Sequence, residues 1–499
     1  MSNIRVTFSG YISFLVGIGS LVTGLIFTII ITRQLSVQEY GTWGLIGTIL
    51  TYVLIFRPVI GFWNTRDVAR GIESGRTAFI SSGVIGTALI FVYFLLVSIF
   101  SDVDFDENLV LFAGILVPLE FVRVIMYTTA RAYKPQIEQY GLFIFEISKI
   151  AIAAMMIWAF DLGLFGLILT VFFANALATV IVTVNIRDKL KDKFSLDILK
   201  RWVKRFWIPL IPNSSQIFDI SDVAIFSLLT SSVIGLAYYF AAINIARIPN
   251  NAMKISVAVY PKILSTEKYD FIGKNLENVF YFMFPLTALA IVFAKPALFV
   301  FNPEYVGAEM LVIILTILVV VRNVGDNFVE QLQGKEKVDK ADNATVKEFI
   351  SSKLFTLPVL RIIQRAGYIV ILFFVLKFII LGNVPELDVL NYWALISLIC
   401  QIPYTGYILY QVRKELSPKI NYSVLTKYLI ATIIVFSIIY ILMENTLEYN
   451  ESIYVFLPNI IPYVIFVGLM YIGLTYAMDK NTRLLTKLIV VELKSKFKK

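Results

Sequence analysis

Long apolar runs separated by short polar breaks set the pattern of this chain. A membrane-spanning helix needs about 20 mostly apolar residues. Runs of that length recur fourteen times, the first over 8–32 and the last over 453–478. They predict an all-α polytopic membrane protein with about fourteen transmembrane helices, because a helix satisfies its own backbone in hydrocarbon. The first run is too long for a signal-peptide core and lacks a small-residue cleavage site, so it is read as a span. Between 186 and 207 the pattern changes. There IRDKLKDKFSLDILKRWVKRFW sets Leu190, Phe194, Leu199 and Trp202 among lysines, as an interfacial amphipathic helix does. Six spans lie before it and eight after. The expected division is an N-terminal six-helix bundle over 1–186, a cytoplasmic amphipathic linker over 187–205 and a C-terminal six-helix bundle over 206–411. Two additional transmembrane helices and a basic cytoplasmic tail follow over 412–499.

Composition sharpens this class and excludes others. Of 499 residues, 58% are hydrophobic and 16% charged, with a mean hydropathy of +0.79. Histidine is absent, which removes imidazole catalysis and imidazole metal ligation. The single Cys400 lies in an apolar run, so no disulfide frame or thiolate metal site is expected. No phosphate-binding GxxxxGK[ST] loop occurs, and Gly273-Lys274-Asn275 lacks its hydroxyl. The chain is read as no enzyme, with no catalytic residue, no metal and no cofactor. Any transport it performs draws on an ion gradient, the substrate gradient or the membrane potential. With the N-terminus placed in the cytoplasm, the inward segments take most of the 44 Lys+Arg residues, and the outward loops hold Arg33 alone. By the positive-inside rule both termini are cytoplasmic and the membrane is the cytoplasmic one. The net charge of +9 is therefore spent on membrane lipids, with no nucleic acid implied. Asp102 and Asp104 form a D-x-D pair, read as solvated acids on the outer side rather than a metal site.

Polar residues inside the apolar runs carry the candidate chemistry. An ionisable side chain at the membrane centre costs about 2.5–3.5 kcal/mol on insertion scales, so it faces a bundle interior or a watery cavity. Asn213, Gln216, Asp219 and Asp222 form a stripe on the expected span 206–229. Asn244, Arg247 and Asn251 lie on 231–258; Arg322, Asp326 and Glu330 follow at i, i+4, i+8 on 308–332. One reading is an interhelical clamp in which Asp219, Asp222 or Asp326 pairs with the arginines. The other is a transport cavity. Arg57, Arg247 and Arg322 would then bind an anionic substrate group through their planar forks, beside Asn244 and Asp326, with Asp219 and Asp222 coupling an ion. Glu120 with Arg123 and Glu146 with Lys149, each at i, i+3, read as structural in-helix pairs. An internal repeat supports the cavity. Leu35-Ser36 with Gly41 recurs as Leu229-Thr230 with Gly235, and an arginine then precedes a proline in Arg57-Pro58 and Arg247-Ile248-Pro249. An even number of spans separates the copies, so the repeat is parallel, and paired proline-broken spans point to a transporter site.

These residues also carry a family resemblance. The 6+6+2 order, Thr32-Arg33-Gln34-Leu35-Ser36 with Glu39-Tyr40-Gly41, and Asp222 with Gly235-Leu236-Ala237-Tyr238-Tyr239 resemble the MOP superfamily. Within it the chain looks like the polysaccharide-exporter branch of Wzx-like lipid-linked oligosaccharide flippases. Pro261-Lys262 and Ala294-Lys295-Pro296 through Phe301-Asn302-Pro303-Glu304-Tyr305 fit the same branch, although Asn302-Pro303 replaces its usual glycine. The resemblance implies two six-helix bundles around a central cavity with alternating access. The cargo it implies is a polyprenyl-(pyro)phosphate-linked glycan, moved with H+ or Na+ as a possible coupling cation and with a polymerase or glycosyltransferase complex as a candidate partner. It carries Asp222 over by motif; Arg57, Arg247 and Arg322 come from charge and depth. A multidrug or organic-ion exporter of the same superfamily would need an arginine-poor acidic cavity. A membrane glycosyltransferase would need a large outward domain that these loops lack.

Overall fold

The computed structural model describes residues 6–207, 209–210, 215–257, 259–266, 269–336, 346–479 and 482–483. Among them there is no strand. The helices are α1 (Val6–Gln34), α2 (Val37–Val53), α3 (Arg57–Ala69), α4 (Gly75–Ile99), α5 (Glu107–Phe112), α6 (Leu116–Tyr133), α7 (Pro135–Ala153) and α8 (Gly163–Asn185). The linker helix α9 (Leu196–Lys204) is followed by α10 (Ser215–Thr230), α11 (Ile234–Ala246), α12 (Asn250–Met253), α13 (Val259–Thr266), α14 (Phe271–Val292) and α15 (Ala294–Phe301). Last come α16 (Glu309–Gly334), α17 (Val346–Ser351), α18 (Lys353–Leu381), α19 (Glu386–Glu415), α20 (Tyr422–Thr446) and α21 (Ile453–Met478).

Twelve stretches of helix among the described residues are long and apolar enough to cross a membrane. The expected spans 206–229 and 231–258 are not among the twelve. The start of the first lies partly outside the described residues, and the second is divided. Its α11 ends at Ala246, and the four-residue α12 restarts after Pro249. Proline lacks the N–H that would continue the ladder, so the helix breaks there. The other copy of the repeat breaks in the same way. A 3-10 turn over Leu54–Phe56 ends α2, and α3 restarts at Arg57 with Pro58 in its first turn.

Internal packing separates the chain into two compact units. One comprises Gly19–Phe240 and Phe355–Ser397; the other comprises Met1–Ile18, Ala241–Leu354 and Leu398–Lys499. In the first, close approach of backbones is paid for with glycine. A side chain at Gly41 would lie 1.9 Å from the Val233 carbonyl oxygen, and one at Gly44 would strike the Phe240 ring at 2.1 Å. Ser36 caps α2 in a reciprocal capping box with Glu39. The other oxygen of Glu39 accepts from the Leu164 backbone N–H at 3.0 Å, which ties the start of α2 to the start of α8. The second copy repeats the device with a different acid, as Glu386 Oε1 accepts from the Gly235 N–H at 2.9 Å. The expected in-helix pairs form: Arg123 donates to Glu120 at 2.8 Å and Lys149 to Glu146 at 3.0 Å. Glu120 also accepts from Asn175 at 2.7 Å, so the first pair bridges α6 and α8.

In the other unit, the end helices α20 and α21 are bolted onto α14. The Tyr281 ring packs on Tyr428 and Tyr471, with centroids 5.0 and 5.4 Å away. Tyr471 Oη donates to the Tyr281 carbonyl at 2.7 Å, and Tyr428 Oη donates to Asp479 at 2.9 Å. A side chain on Gly273 would meet the Lys419 carbonyl at 2.0 Å, so the chain entering α20 runs hard against α14.

Candidate functional site

The richest polar constellation in the first unit gathers on α10, α18 and α19. Asp219 and Asp222 sit one turn apart on α10, so their side chains point the same way. Asp219 Oδ1 lies 2.9 Å from Arg365 Nε, and its Oδ2 lies 3.9 Å from Arg361 Nη2. The Arg365 side chain is 1% exposed, whereas Asp219 is 25% exposed. The pair therefore spans the boundary between packed interior and an accessible surface of the bundle. One turn deeper, Asp222 is buried, and three of its donors can be named. These are the Val223 N–H at 2.8 Å, Tyr368 Oη at 3.0 Å and Trp393 Nε1 at 3.4 Å. Trp393 also donates to Tyr368 Oη at 2.9 Å, and Ser397 Oγ donates to the same oxygen at 2.6 Å. The indole stacks on Tyr239 at 4.2 Å and on Phe226 at 5.2 Å, which fixes its N–H in this direction. An indole nitrogen can only donate, so Asp222 Oδ2 is held as an acceptor. Beside it Tyr52 Oη donates to Ser221 Oγ at 2.9 Å, linking α2 to α10.

Arg57 belongs to the same unit and is half-buried. Its Nε donates to the Leu54 carbonyl at 3.0 Å, a second donor beside the Arg57 backbone N–H that bonds the same oxygen. Asn213 lies outside the described residues.

Arg247, Arg322, Asn244 and Asp326 lie in the other unit. Arg247 is exposed and Asn244 half-buried. The segments that carry the two arginines meet at α12 and α16, where Asn323 Nδ2 donates to Asn250 Oδ1 at 2.6 Å. At the break after α11, Asn251 Nδ2 donates to the Ile248 carbonyl at 3.0 Å. Arg322 buries its Nε with no hydrogen-bond partner among the described residues. A buried guanidinium donor left this way costs free energy that an incoming anion would recover. Further along α16, Gln331 donates to Asn327 at 2.5 Å, and Thr405 Oγ1 on α19 donates to the Val321 carbonyl at 3.2 Å.

The sequence reading assigned Asp219 and Asp222 but missed Arg361, Arg365, Tyr368, Trp393 and Ser397. Read by apolar length alone, the span that ends at Leu381 starts only at Ala366 and leaves both arginines in the loop before it. In the structure α18 starts at Lys353 and carries Arg361, Arg365 and Tyr368 at i, i+4, i+7, which is one helical face. The apolar residues on either side of Arg361, Leu357–Leu360 and Ile362–Ile363, were the available signal. Among the described residues no group of three or more acidic or cysteine side chains is placed to hold a metal.

The fold is that of the MOP-superfamily transporters. An inward-facing multidrug resistance MATE transporter of that superfamily matches with a TM-score of 0.61 at 12% identity, over 80% of this chain and 94% of its own. A MOP transporter from Pyrococcus furiosus, described by the reverse polarity of its binding pocket, matches with a TM-score of 0.53 at 12% identity, over 83% and 95%. The lipid II flippase MurJ in an inward closed conformation matches with a TM-score of 0.67 at 13% identity, over 94% of this chain and 98% of its own. At such identities the likeness is one of fold. By sequence, no protein-family model and no curated protein matches the chain.

Proposed function

We propose that the chain is a flippase that carries a polyprenyl-linked oligosaccharide across the cytoplasmic membrane by alternating access, with both termini in the cytoplasm. The observation that carries this reading is the guanidinium chemistry within spanning helices. Arg322 Nε is buried with no partner among the described residues, and Arg365 is fully buried beside Asp219. A guanidinium presents two parallel N–H groups that fit a phosphate or pyrophosphate head. In this reading Arg57, Arg247 and Arg322 bind that head, with Asn244 and Asp326 beside them. Asp219 and Asp222 couple the movement to a cation, H+ or Na+. The repeats over 1–186 and 206–411 supply the two bundles, joined by 187–205, and 412–499 forms an added helical pair. A polymerase or glycosyltransferase complex would supply or take the glycan. The branch within the superfamily rests on the motifs around Ser36, Gly41 and Gly235, of which Gly41 lies against the Val233 backbone and Gly235 against the Phe226 and Glu386 side chains.

The test is flipping of a fluorescent polyprenyl-phosphate sugar in proteoliposomes, paired with thermal unfolding of each variant. Arg57→Ala, Arg247→Ala and Arg322→Ala are each expected to slow flipping by about tenfold or more. That is the effect of losing roughly 1.5–3 kcal/mol of charge-assisted hydrogen bonding. Lysine at the same positions keeps the charge but loses the fork, and should give intermediate rates. Normal flipping by all three alanine variants would discard the reading. Export of a cationic dye instead of the glycolipid would place the chain with the drug exporters, a reading that the buried Asp222 favours.

A further inference from the structure

The linker helix α9 is pinned by the ends of two spanning helices. Asp67, near the end of α3 and 5% exposed, accepts from Trp202 Nε1 at 2.9 Å and from Arg201 Nη2. Thr77 Oγ1, in the first turn of α4, accepts from the Ser195 N–H at 2.9 Å. A side chain on Gly75 would lie 2.0 Å from the Lys189 carbonyl, so the strand of chain leading into α9 runs tight over the start of α4. One span ends and the next begins at these anchors, so they mark the level at which hydrocarbon gives way to headgroups. The protein thus holds α9 at the membrane surface, with Trp202 turned inward and fully buried.

The remaining face looks outward. Leu196, Val203, Phe206 and Trp207 are 58%, 51%, 48% and 54% exposed. Leu196 and Val203, at i and i+7, lie on one side of α9, and Phe206 and Trp207 follow just beyond its end. Lys200 and Lys204 are exposed on α9, and Lys193 is exposed in the chain just before it. Of the neighbouring acids, Asp188 is engaged by Lys191 at 2.7 Å, and Asp197 is exposed.

We propose that this face of α9 is a docking surface for anionic lipid. Its apolar side enters the headgroup boundary, and Lys193, Lys200 and Lys204 take the phosphate-bearing headgroups. The occupant follows from three features together: apolar exposure that water disfavours, cations along its edge, and anchors that fix it where a bilayer surface lies. Asp67 keeps Arg201 and Trp202 on the protein, so the surface is assembled before lipid arrives. The inference does not depend on the transported cargo.

The test uses the full-length protein with Cys400→Ala, carrying Val203→Cys or, as a water-exposed reference, Ser351→Cys. Each is placed in nanodiscs of phosphatidylcholine alone or with about one-third phosphatidylglycerol. The readout is the rate of reaction with a water-soluble maleimide. A lysine near an anionic surface contributes about a fivefold preference, so three together give ample margin. Val203→Cys is expected to react at least about tenfold more slowly in the anionic discs, while Ser351→Cys reacts alike in both. Adding Lys193→Gln, Lys200→Gln and Lys204→Gln should abolish the difference, with elution and thermal unfolding unchanged. Reaction as fast as at Ser351→Cys in both discs would put the face in water and overturn the proposal. Equal protection in both discs, or protection that survives the glutamines, would assign the cover to neutral lipid or to another copy of the chain, and overturns it as well.

Discussion

Asp219→Asn should be among the most damaging single changes within the spanning helices, and its cost should fall when Arg365 is removed with it. The carboxylate lies 2.9 Å from Arg365 Nε and 3.9 Å from Arg361 Nη2. With 1% of its side chain exposed, Arg365 cannot turn to water when the acid is gone. Stranding a buried charge costs about 3–5 kcal/mol. Arg365→Ala should cost less, about 1–3 kcal/mol, because Asp219 is a quarter exposed and keeps Arg361 nearby. The double variant should then fall short of the sum by about 1–2 kcal/mol, the size of coupling seen between residues in contact. Equilibrium unfolding of the detergent-solubilised protein measures all four species. If the two single costs add to within about 0.5 kcal/mol, the pair is not an energetic unit and the reasoning fails. Flipping by the double variant decides what the pair is for. Transport that stays lost in a double variant that still folds leaves Asp219 and Arg365 in the transport cycle, whereas transport near the wild-type rate makes them scaffolding.

Four shorter predictions rest on packing, hydrogen bonding and the charge bias of the loops. Gly41→Ala should destabilise by about 1–3 kcal/mol or more in the same unfolding assay, since its methyl would sit 1.9 Å from the Val233 carbonyl. Gly47→Ala, on the same helix with nothing within 4 Å, should be neutral or gain up to about 1 kcal/mol. Asp222→Asn should remain folded, because the amide oxygen can still accept from Trp393, yet should lose the ion dependence of flipping; unchanged ion dependence in proteoliposomes would remove Asp222 from coupling. In Cys400→Ala cells an impermeant maleimide should label Asn450→Cys and not Ser351→Cys, and the reverse result would invert the topology.

The class of fold was legible because apolar length and charge bias are properties of whole segments. The helix breaks at Pro58 and Pro249 were legible too, since proline acts locally and needs no tertiary context. The pairing of charges was not. Asp219 was expected to answer an arginine such as Arg247, yet its cations are Arg361 and Arg365, more than a hundred residues along the chain. Two positive charges within one turn read as a loop by hydropathy, and only packing against Asp219 makes that turn affordable inside a bundle. Tyr368, Trp393 and Ser397 left no signal either. An aromatic or serine in an apolar run looks like filling until a buried carboxylate is found beside it.

The repeat looks different once side chains are placed. In sequence its mark is an arginine before a proline, which invites equal roles for Arg57 and Arg247. In the structure the repeated object is a broken helix whose turn carbonyl, already bonded by a backbone N–H, takes a second donor from a side chain, and that residue differs. Arg57 braces the first break through Leu54, whereas Asn251 braces the second through Ile248 and Arg247 stays exposed. A carbonyl oxygen carries two lone pairs, so the side-chain donor reinforces each turn without rescuing an orphaned acceptor. The two arginines are therefore under different demands. Arg57 serves a backbone acceptor with Nε before any substrate arrives, while Arg247 carries no such duty. A substitution at Arg57 should consequently disturb the shape of its helix as well as charge, and one at Arg247 should disturb charge alone.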